Sequence, residues 1–195
     1  NPTVLKYMKI LVTGATGFIG SALIEYLANI QGCTVVGMVR LIKDFYISTA
    51  VEFRLGDVGS LNKTDLDLND IDVIIHTAGR AHIMNDSSSN PLEEFRRVNT
   101  TGTLDLARLA ADSGVKRFVF LSSIKVNGEM TKPGHPFTPD DVHVPDDPYG
   151  LSKYEAEQGL LALAQETGME VVIIRPPLVY GPGVKANFAS MMKWM

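Results

Sequence analysis

The chain has 195 residues, of which 45% are hydrophobic, and its formal net charge is −4. This length suits one domain with a substantial core and is short for two. The acidic balance lacks the basic excess typical of nucleic-acid-binding proteins, so no nucleic-acid partner is predicted. No apolar run approaches the ~20 residues that cross a bilayer. The single cysteine, Cys33, excludes an internal disulfide, and we predict a cytoplasmic protein without a membrane segment.

Short β-rich runs alternate with longer helical runs along the chain. Strands are predicted at residues 10–12, 35–39, 51–55, 73–75, 118–121 and 171–174, and helices at 18–30, 92–113 and 149–167. Strands that are apolar on both faces and separated by helices indicate a parallel sheet covered on two sides. The predicted fold class is α/β, a Rossmann-type doubly wound parallel sheet with helices on both faces. The long Pro- and Asp-rich loop at 128–147 is predicted to be functional or mobile.

A glycine-rich turn follows the first predicted strand and opens the first predicted helix. Its sequence is Thr13-Gly14-Ala15-Thr16-Gly17-Phe18-Ile19-Gly20. Such a turn lets the backbone approach a pyrophosphate, whose charge the helix N-terminus stabilises. The turn therefore predicts a dinucleotide site at the carboxyl edge of the sheet.

The end of the second predicted strand bears on the choice of cofactor. Sites for NAD place Asp or Glu there, on the adenosine ribose, whereas an arginine accommodates the 2′-phosphate of NADP. This sequence has Met38-Val39-Arg40 and no acid. The predicted cofactor is NAD or NADP, and Arg40 favours NADP.

Polar and small residues follow the third and fourth predicted strands. Asp57 is suited either to accept from an adenine amino group or to cap a helix. The small residues Thr77-Ala78-Gly79 would let a cofactor lie against the backbone, where open α/β sheets bind ligands. His76 is interpreted as a packed, hydrogen-bonded histidine rather than as a catalyst.

A candidate catalytic group lies at the fifth strand and the helix after it. Ser123 follows the strand, and Tyr149 and Lys153 are four residues apart, which places them on one helical face. A nearby ammonium lowers a tyrosine pKa from its usual ~10. Such a tyrosine exchanges a proton with a sugar hydroxyl or carbonyl while hydride moves to or from a nicotinamide. Ser123, Tyr149 and Lys153 are the predicted catalytic residues.

As a set, these motifs resemble the extended short-chain dehydrogenase/reductases of the NAD-dependent epimerase/dehydratase family. Further segments that carry the resemblance are Val98-Asn99-Thr100-Thr101-Gly102-Thr103, Ser122-Ser123-Ile124-Lys125-Val126-Asn127-Gly128, Tyr149-Gly150-Leu151-Ser152-Lys153 and Arg175-Pro176-Pro177-Leu178-Val179-Tyr180-Gly181-Pro182. By this resemblance, Tyr149 is the general acid/base, Lys153 is its partner and Ser123 is the third member. Asn99 is implied to be a structural support near the site.

The resemblance also implies binding residues. Those for the cofactor are Gly14, Thr16, Gly17, Phe18, Ile19, Gly20, Arg40, Asp57, Val58, Thr77, Ala78, Gly79, Tyr149, Lys153 and Pro176. Those for the substrate, implied to be a UDP-linked sugar, are Ser123, Lys125 and Tyr149. No metal is implied. Many epimerases of the family have Tyr where this sequence has Asn127, which leaves the sugar specificity open.

Family members carry a smaller C-terminal domain that holds much of the sugar-nucleotide pocket. The expected organisation is an NAD(P)-binding domain at 8–183, the start of a truncated substrate-binding part at 184–195 and an N-terminal extension at 1–7. Many relatives pair through the helices corresponding to 92–113 and 149–167, so a homodimer is a possible state.

Three functions of the family share these residues. A 4-epimerase oxidises the sugar transiently, and a reductase of a 4-keto sugar in surface-polysaccharide synthesis consumes NADPH. A dehydratase usually has an Asp-Glu pair after the serine, where this sequence has Ile124-Lys125. A non-catalytic, cofactor-binding regulator would be expected to lose Ser123, Tyr149 or Lys153, and all three are present. The sequence favours the epimerase, with the reductase as the main alternative.

Overall fold

A computed structural model describes residues 7–41, 51–61, 66–80, 90–141 and 143–182. Its centre is one sheet of six strands: β1 (Met8–Thr13), β2 (Cys33–Val39), β3 (Glu52–Leu55), β4 (Val73–His76), β5 (Arg117–Leu121) and β6 (Glu170–Ile174). The strand order is β3-β2-β1-β4-β5-β6, and every neighbouring pair is parallel. This order confirms the predicted Rossmann-type sheet. The order reverses between β1 and β4, where ligands bind outside the carboxyl ends of such strands.

The helices are α1 (Phe18–Ala28), α2 (Pro91–Phe95), α3 (Gly102–Asp112) and α4 (Pro148–Thr167). Alternate residues of β1 belong to different core clusters because successive side chains of a strand point to opposite faces. Val12 packs in the cluster that contains Ile24 of α1, and Leu11 packs in the cluster that contains Leu106 of α3 and Leu160 of α4. Each such fully buried side chain contributes roughly 1.5–3 kcal/mol. Helices therefore cover both faces of the sheet, as predicted.

The long helix predicted at residues 92–113 is present from Pro91 to Asp112, but it contains a π-helical segment. α2 leads into a π-helical segment, Arg96–Thr101, which leads into α3. Gly102 lies directly against the carbonyl of Val58, and Asn99 in the π segment is fully buried. A π turn inserts one residue into the helical repeat and is common at functional sites. The apolar periodicity of the sequence does not reveal such an insertion, because the tertiary contacts of these residues stabilise it.

The remaining helix ends lie close to their predicted positions. α1 ends two residues early, at Ala28, and α4 ends at Thr167 as predicted. Gly114 and Gly168 follow α3 and α4 with φ of +80° and +74°, a conformation that glycine adopts at low cost. Within the ranges given above, no helix combines the length and apolar character of a membrane span. Apart from Tyr7, the predicted segments 1–7 and 184–195 lie outside the described residues.

Candidate active site

Two adjoining cavities lie at the carboxyl edge of the sheet. The first, of about 550 Å³, lies outside the ends of β1 to β4. The second, of about 220 Å³, lies between the ends of β4 and β5 and the start of α4. Thr77, Gly79 and Arg80 line both cavities. A ligand in the first cavity can therefore extend directly into the second.

Most of the predicted site residues line these cavities. Those at the first cavity are Gly14, Thr16, Gly17, Arg40, Asp57, Val58, Thr77, Ala78 and Gly79. Those at the second cavity are Ile19, Thr77, Gly79, Ser123, Tyr149, Lys153 and Pro176. Phe18, Gly20 and Lys125 line neither of the two. The structure thus brings both predicted groups, for cofactor and for chemistry, to one edge of the sheet.

The glycine turn has the geometry of a phosphate cradle. Gly14 has φ of +66°, and a Cβ there would lie 2.8 Å from the backbone nitrogen of Ala78. The N–H of Gly17 donates to the carbonyl of Gly14 at 2.8 Å, which closes the turn. Gly17 caps α1 and has no side chain to accept from its first-turn N–H groups. The positive end of the α1 dipole is therefore available to an anion in the first cavity.

Arginines add positive charge to the first cavity. Arg40, at the end of β2, lines the cavity where an NAD site would place an acid. Arg97 lines it as well while donating to the carbonyl of Gly59 at 3.0 Å. The guanidinium of Arg80 lies 5.7 Å from the centre of the Phe95 ring. Together with the glycine cradle, these charges fit a dinucleotide with its pyrophosphate.

Two of these arginines, Arg80 and Arg97, were not among the predicted site residues. Arg80 directly follows the predicted Thr77-Ala78-Gly79 run, and that adjacency was the available signal. Arg97 lies in the π segment, whose insertion shifts it relative to a regular helix. Its approach to the cavity therefore could not be inferred from helical spacing.

Asp57 has a structural role at the first cavity. Its carboxylate accepts from the N–H of Gly59 at 3.1 Å and from the hydroxyl of Ser60 at 3.2 Å. It thereby caps a short 3-10 turn, Val58–Ser60. This is the capping alternative offered by the sequence, and the residue still lines the cavity. An adenine contact by Asp57 stays a prediction.

Ser123, Tyr149 and Lys153 meet at the second cavity. Tyr149 is the second residue of α4, whose N-terminus is capped by Asp147 through a 3.0 Å bond from the N–H of Gly150. Tyr149 and Ser123 both line this cavity. The ammonium of Lys153 donates to the carbonyl of Leu121 at 2.9 Å. The helical spacing of four residues thus delivers both side chains to the end of β5.

Burial sets the proton affinities at this site. Burial raises the pKa of Tyr149 above its ordinary value. The charge of Asp147 adds to this rise, and the interaction with Ser123 opposes it. Burial lowers the pKa of Lys153 to about 8, and the charge of Glu157 opposes that shift. Lys153 is therefore an ammonium at neutral pH that titrates only slightly above it. The lowering of the Tyr149 pKa that the sequence predicted is not found, because burial dominates and the net shift is upward.

Asn99 links the end of β4 to the first turn of α4. Its side chain accepts from the N–H of Arg80 at 2.7 Å and donates to the Arg80 carbonyl at 3.0 Å. It also donates to the hydroxyl of Ser152 at 3.0 Å, which in turn donates to the carbonyl of Tyr149 at 2.7 Å. These contacts support the backbone at Tyr149 from the segment after β4.

Lys125 and His76 have other partners than a substrate. The ammonium of Lys125 lies 3.0 Å from the carboxylate of Asp147, at the cap of α4, so its predicted substrate contact stays a prediction. His76 is fully buried, with its ring nitrogens 2.6 Å and 2.9 Å from the hydroxyls of Thr13 and Thr103. This confirms His76 as a packed, hydrogen-bonded residue.

Comparison with known proteins places these features in a family. The model of the NAD dependent epimerase/dehydratase family matches residues 10–194. The chain belongs to this family. A UDP-glucose 4-epimerase of Vibrio cholerae is 52% identical over 186 residues, which are 94% of this chain and 56% of that protein. The chain thus spans little more than half the length of this family member.

Solved structures of the family have the same fold. The UDP-glucuronic acid 4-epimerase of Bacillus cereus in complex with NAD has a TM-score of 0.79 at 26% identity, covering 92% of this chain and 60% of that one. The UDP-glucose 4-epimerase of Thermotoga maritima with UDP-glucose has a TM-score of 0.79 at 27% identity, covering 94% and 61%. These relatives confirm the predicted family and fold. The pairing of two copies through the helices stays a prediction.

Proposed function

We propose that the protein is a nicotinamide-dinucleotide-dependent 4-epimerase of a UDP-linked sugar. The observation that carries this proposal is that Ser123, Tyr149 and Lys153 line one cavity, which adjoins the larger cavity at the glycine turn. The similarity to the UDP-glucose 4-epimerase of V. cholerae supports the choice of reaction and of the UDP group. Both the activity and the substrate of the whole protein are part of this proposal.

The side chains have distinct roles in this chemistry. The bound nicotinamide would accept a hydride from the sugar carbon and return it to the opposite face. The Tyr149 oxygen takes the proton of the sugar hydroxyl and later gives it back, so one group serves both half-reactions. Ser123 holds the same sugar oxygen by hydrogen bonding. Lys153 stabilises the phenolate of Tyr149 by its charge.

The cofactor is held mainly by backbone and by arginines. The N-terminus of α1 and the turn at Gly14 and Gly17 bind the pyrophosphate. Arg40 lies where it would contact a 2′-phosphate, which supports NADP, whereas the B. cereus relative was solved with NAD. Arg40 is also the observation that favours the second candidate function, an NADPH-dependent reductase of a nucleotide 4-keto sugar.

The test follows UDP-glucose and, separately, UDP-galactose by NMR in the presence of NAD or NADP. An epimerase brings both to the same mixture without net change in the cofactor. Net oxidation of NADPH with a UDP-linked 4-keto sugar, without interconversion, identifies the reductase. Cofactor binding with neither reaction identifies a non-catalytic module.

Tyr149→Phe is expected to lower turnover about a thousandfold, because the general acid/base is removed, and to leave the dissociation constant of the cofactor nearly unchanged. Tyr154→Phe is the matched control, since Tyr154 lies on the same helix and lines neither cavity. Turnover that survives in Tyr149→Phe contradicts the proposed mechanism.

A further inference from the structure

A buried carboxylate lies one helical turn beyond Lys153 on α4. Glu157 is fully buried, and its side chain accepts from the hydroxyl of Ser122. Arg175, which follows β6, donates to the two carboxylate oxygens from Nε at 3.0 Å and from Nη2 at 2.6 Å. A buried carboxylate is tolerated only with such partners, because removal from water is costly. Tyr149, Lys153 and Glu157 follow one another at intervals of four residues along one helical face.

The contacts of Glu157 reach the catalytic group through β5. Leu121 and Ser122, at the end of this strand, are each held by a side chain of α4. The carbonyl of Leu121 accepts from Lys153 at 2.9 Å, and the hydroxyl of Ser122 donates to Glu157. Ser123 is the next residue. Lys153 and Glu157 therefore hold the two residues that precede Ser123.

Arg175 extends the same network to the loop that joins Ser123 to Tyr149. Its Nη1 donates to the carbonyls of Pro139 and Asp141, at 3.2 Å and 3.1 Å. Asn127 donates to the carbonyl of Asp141 as well, at 2.9 Å. The middle of the loop is thus attached to the buried carboxylate on α4.

We propose that Glu157 is a positioning residue of the active site: its buried carboxylate, with Arg175 as counter-ion, holds Lys153 and the Ser122–Ser123 segment that follows β5 in their working arrangement. The catalytic role of this arrangement rests on the proposed function. The charge of Glu157 also favours the ammonium form of Lys153, against the burial that disfavours it.

Other charged or titratable groups face Lys153 from the neighbouring elements. His76 on β4 is buried and interacts with the charge of Lys153. Arg80, which follows β4, lines the same cavity, and Tyr149 precedes Lys153 on α4. None of these supplies the negative charge that Glu157 supplies. Loss of the Glu157 charge should therefore lower the pH at which Lys153 titrates.

The experiment measures the titration of Lys153 directly, by NMR of isotope-labelled lysine in the cofactor-bound protein, with Lys153→Met to assign the signal. Glu157→Gln is expected to lower the midpoint by roughly two pH units, the size expected for a unit charge ~6 Å away, one helical turn, at an effective dielectric of about 20. The Glu157→Gln/Arg175→Gln double variant, which leaves no unpaired buried charge, is expected to shift it in the same direction. Glu166→Gln is the matched control. Glu166 lies on the exposed part of α4 and pairs with Arg108 of α3, so its substitution should leave the midpoint unchanged.

An unchanged midpoint in folded Glu157 variants, or an equal shift in Glu166→Gln, overturns the proposal. If neither Glu157 variant folds, Glu157 serves folding alone, and the proposal also fails. The titration needs no sugar nucleotide, so it decides the role of Glu157 even if the native protein converts none. Where turnover is observed, the alkaline limb of its pH profile should move with the midpoint, whereas a purely structural defect lowers kcat without moving the limb.

Discussion

The buried His76 predicts a specific loss of stability in acid. Burial, and secondarily the charge of Lys153, lowers the pKa of its imidazole to about 3, whereas an unfolded histidine titrates near ~6.5. As the pH falls below the unfolded value, the unfolded chain takes up a proton that the folded protein cannot. The stability is therefore complete above that value and is lost progressively toward the folded pKa.

The size of the effect follows from the two pKa values. Within this window the free energy of unfolding falls by about 1.4 kcal/mol per pH unit, which amounts to ~2 kcal/mol between ~pH 7 and ~pH 5. This is an appreciable part of the ~5–15 kcal/mol that holds a typical domain together. The hydrogen bonds to Thr13 and Thr103 satisfy the two ring nitrogens, so the neutral imidazole is tolerated in the core.

Urea unfolding at the two pH values, for the native protein and for His76→Gln, measures the contribution of His76 to the loss of stability. Glutamine keeps a donor and an acceptor for the two hydroxyls but takes up no proton. Carboxylates such as Asp70, whose pKa is lowered by its hydrogen bond with Arg54, lose their contribution to stability only below ~pH 4, and they do so in both proteins. The native protein should lose ~2 kcal/mol more than the variant over this range. Equal losses would refute the argument.

Two further predictions concern the first cavity. Gly14→Ala and Gly114→Ala share the strain of a positive φ, about 1–2 kcal/mol. Only an alanine at position 14 also contacts Ala78 too closely. Calorimetry should therefore show that Gly14→Ala is less stable than Gly114→Ala by about 1–3 kcal/mol, and Gly14→Ala should also bind the cofactor more weakly. Equal stabilities of the two variants would contradict this. Arg40→Asp should shift the ratio of the NADPH and NADH dissociation constants toward NADH by roughly ten- to hundredfold, as titration calorimetry can measure. Arg117→Asp, the same charge change at the opposite edge of the sheet, should leave the ratio unchanged, and an unchanged ratio in Arg40→Asp would mean that Arg40 does not contact a 2′-phosphate.

The sequence by itself determined the sheet and the core of the site. Buried parallel strands are apolar on both faces, so the central strands were recognisable from their own residues. The edge strand β3 was recognisable from its alternation of polar and apolar residues. The glycine turn was recognisable because only glycine permits φ of +66° and the close approach at Gly14. Tyr149 and Lys153 were recognisable because a spacing of four residues places two side chains on one helical face.

The tertiary structure alone decided which charges pair and how the site is supported. Glu157 meets Arg175 because Arg175 follows β6, which lies beside β5. Lys125 pairs with Asp147, the residue that caps α4. The π segment around Asn99 depends on contacts with Arg80 and Ser152, far away in sequence. Periodicity reports which face of an element is buried. It carries no information about which distant residue lies opposite, because that depends on strand order and on the path of the loops.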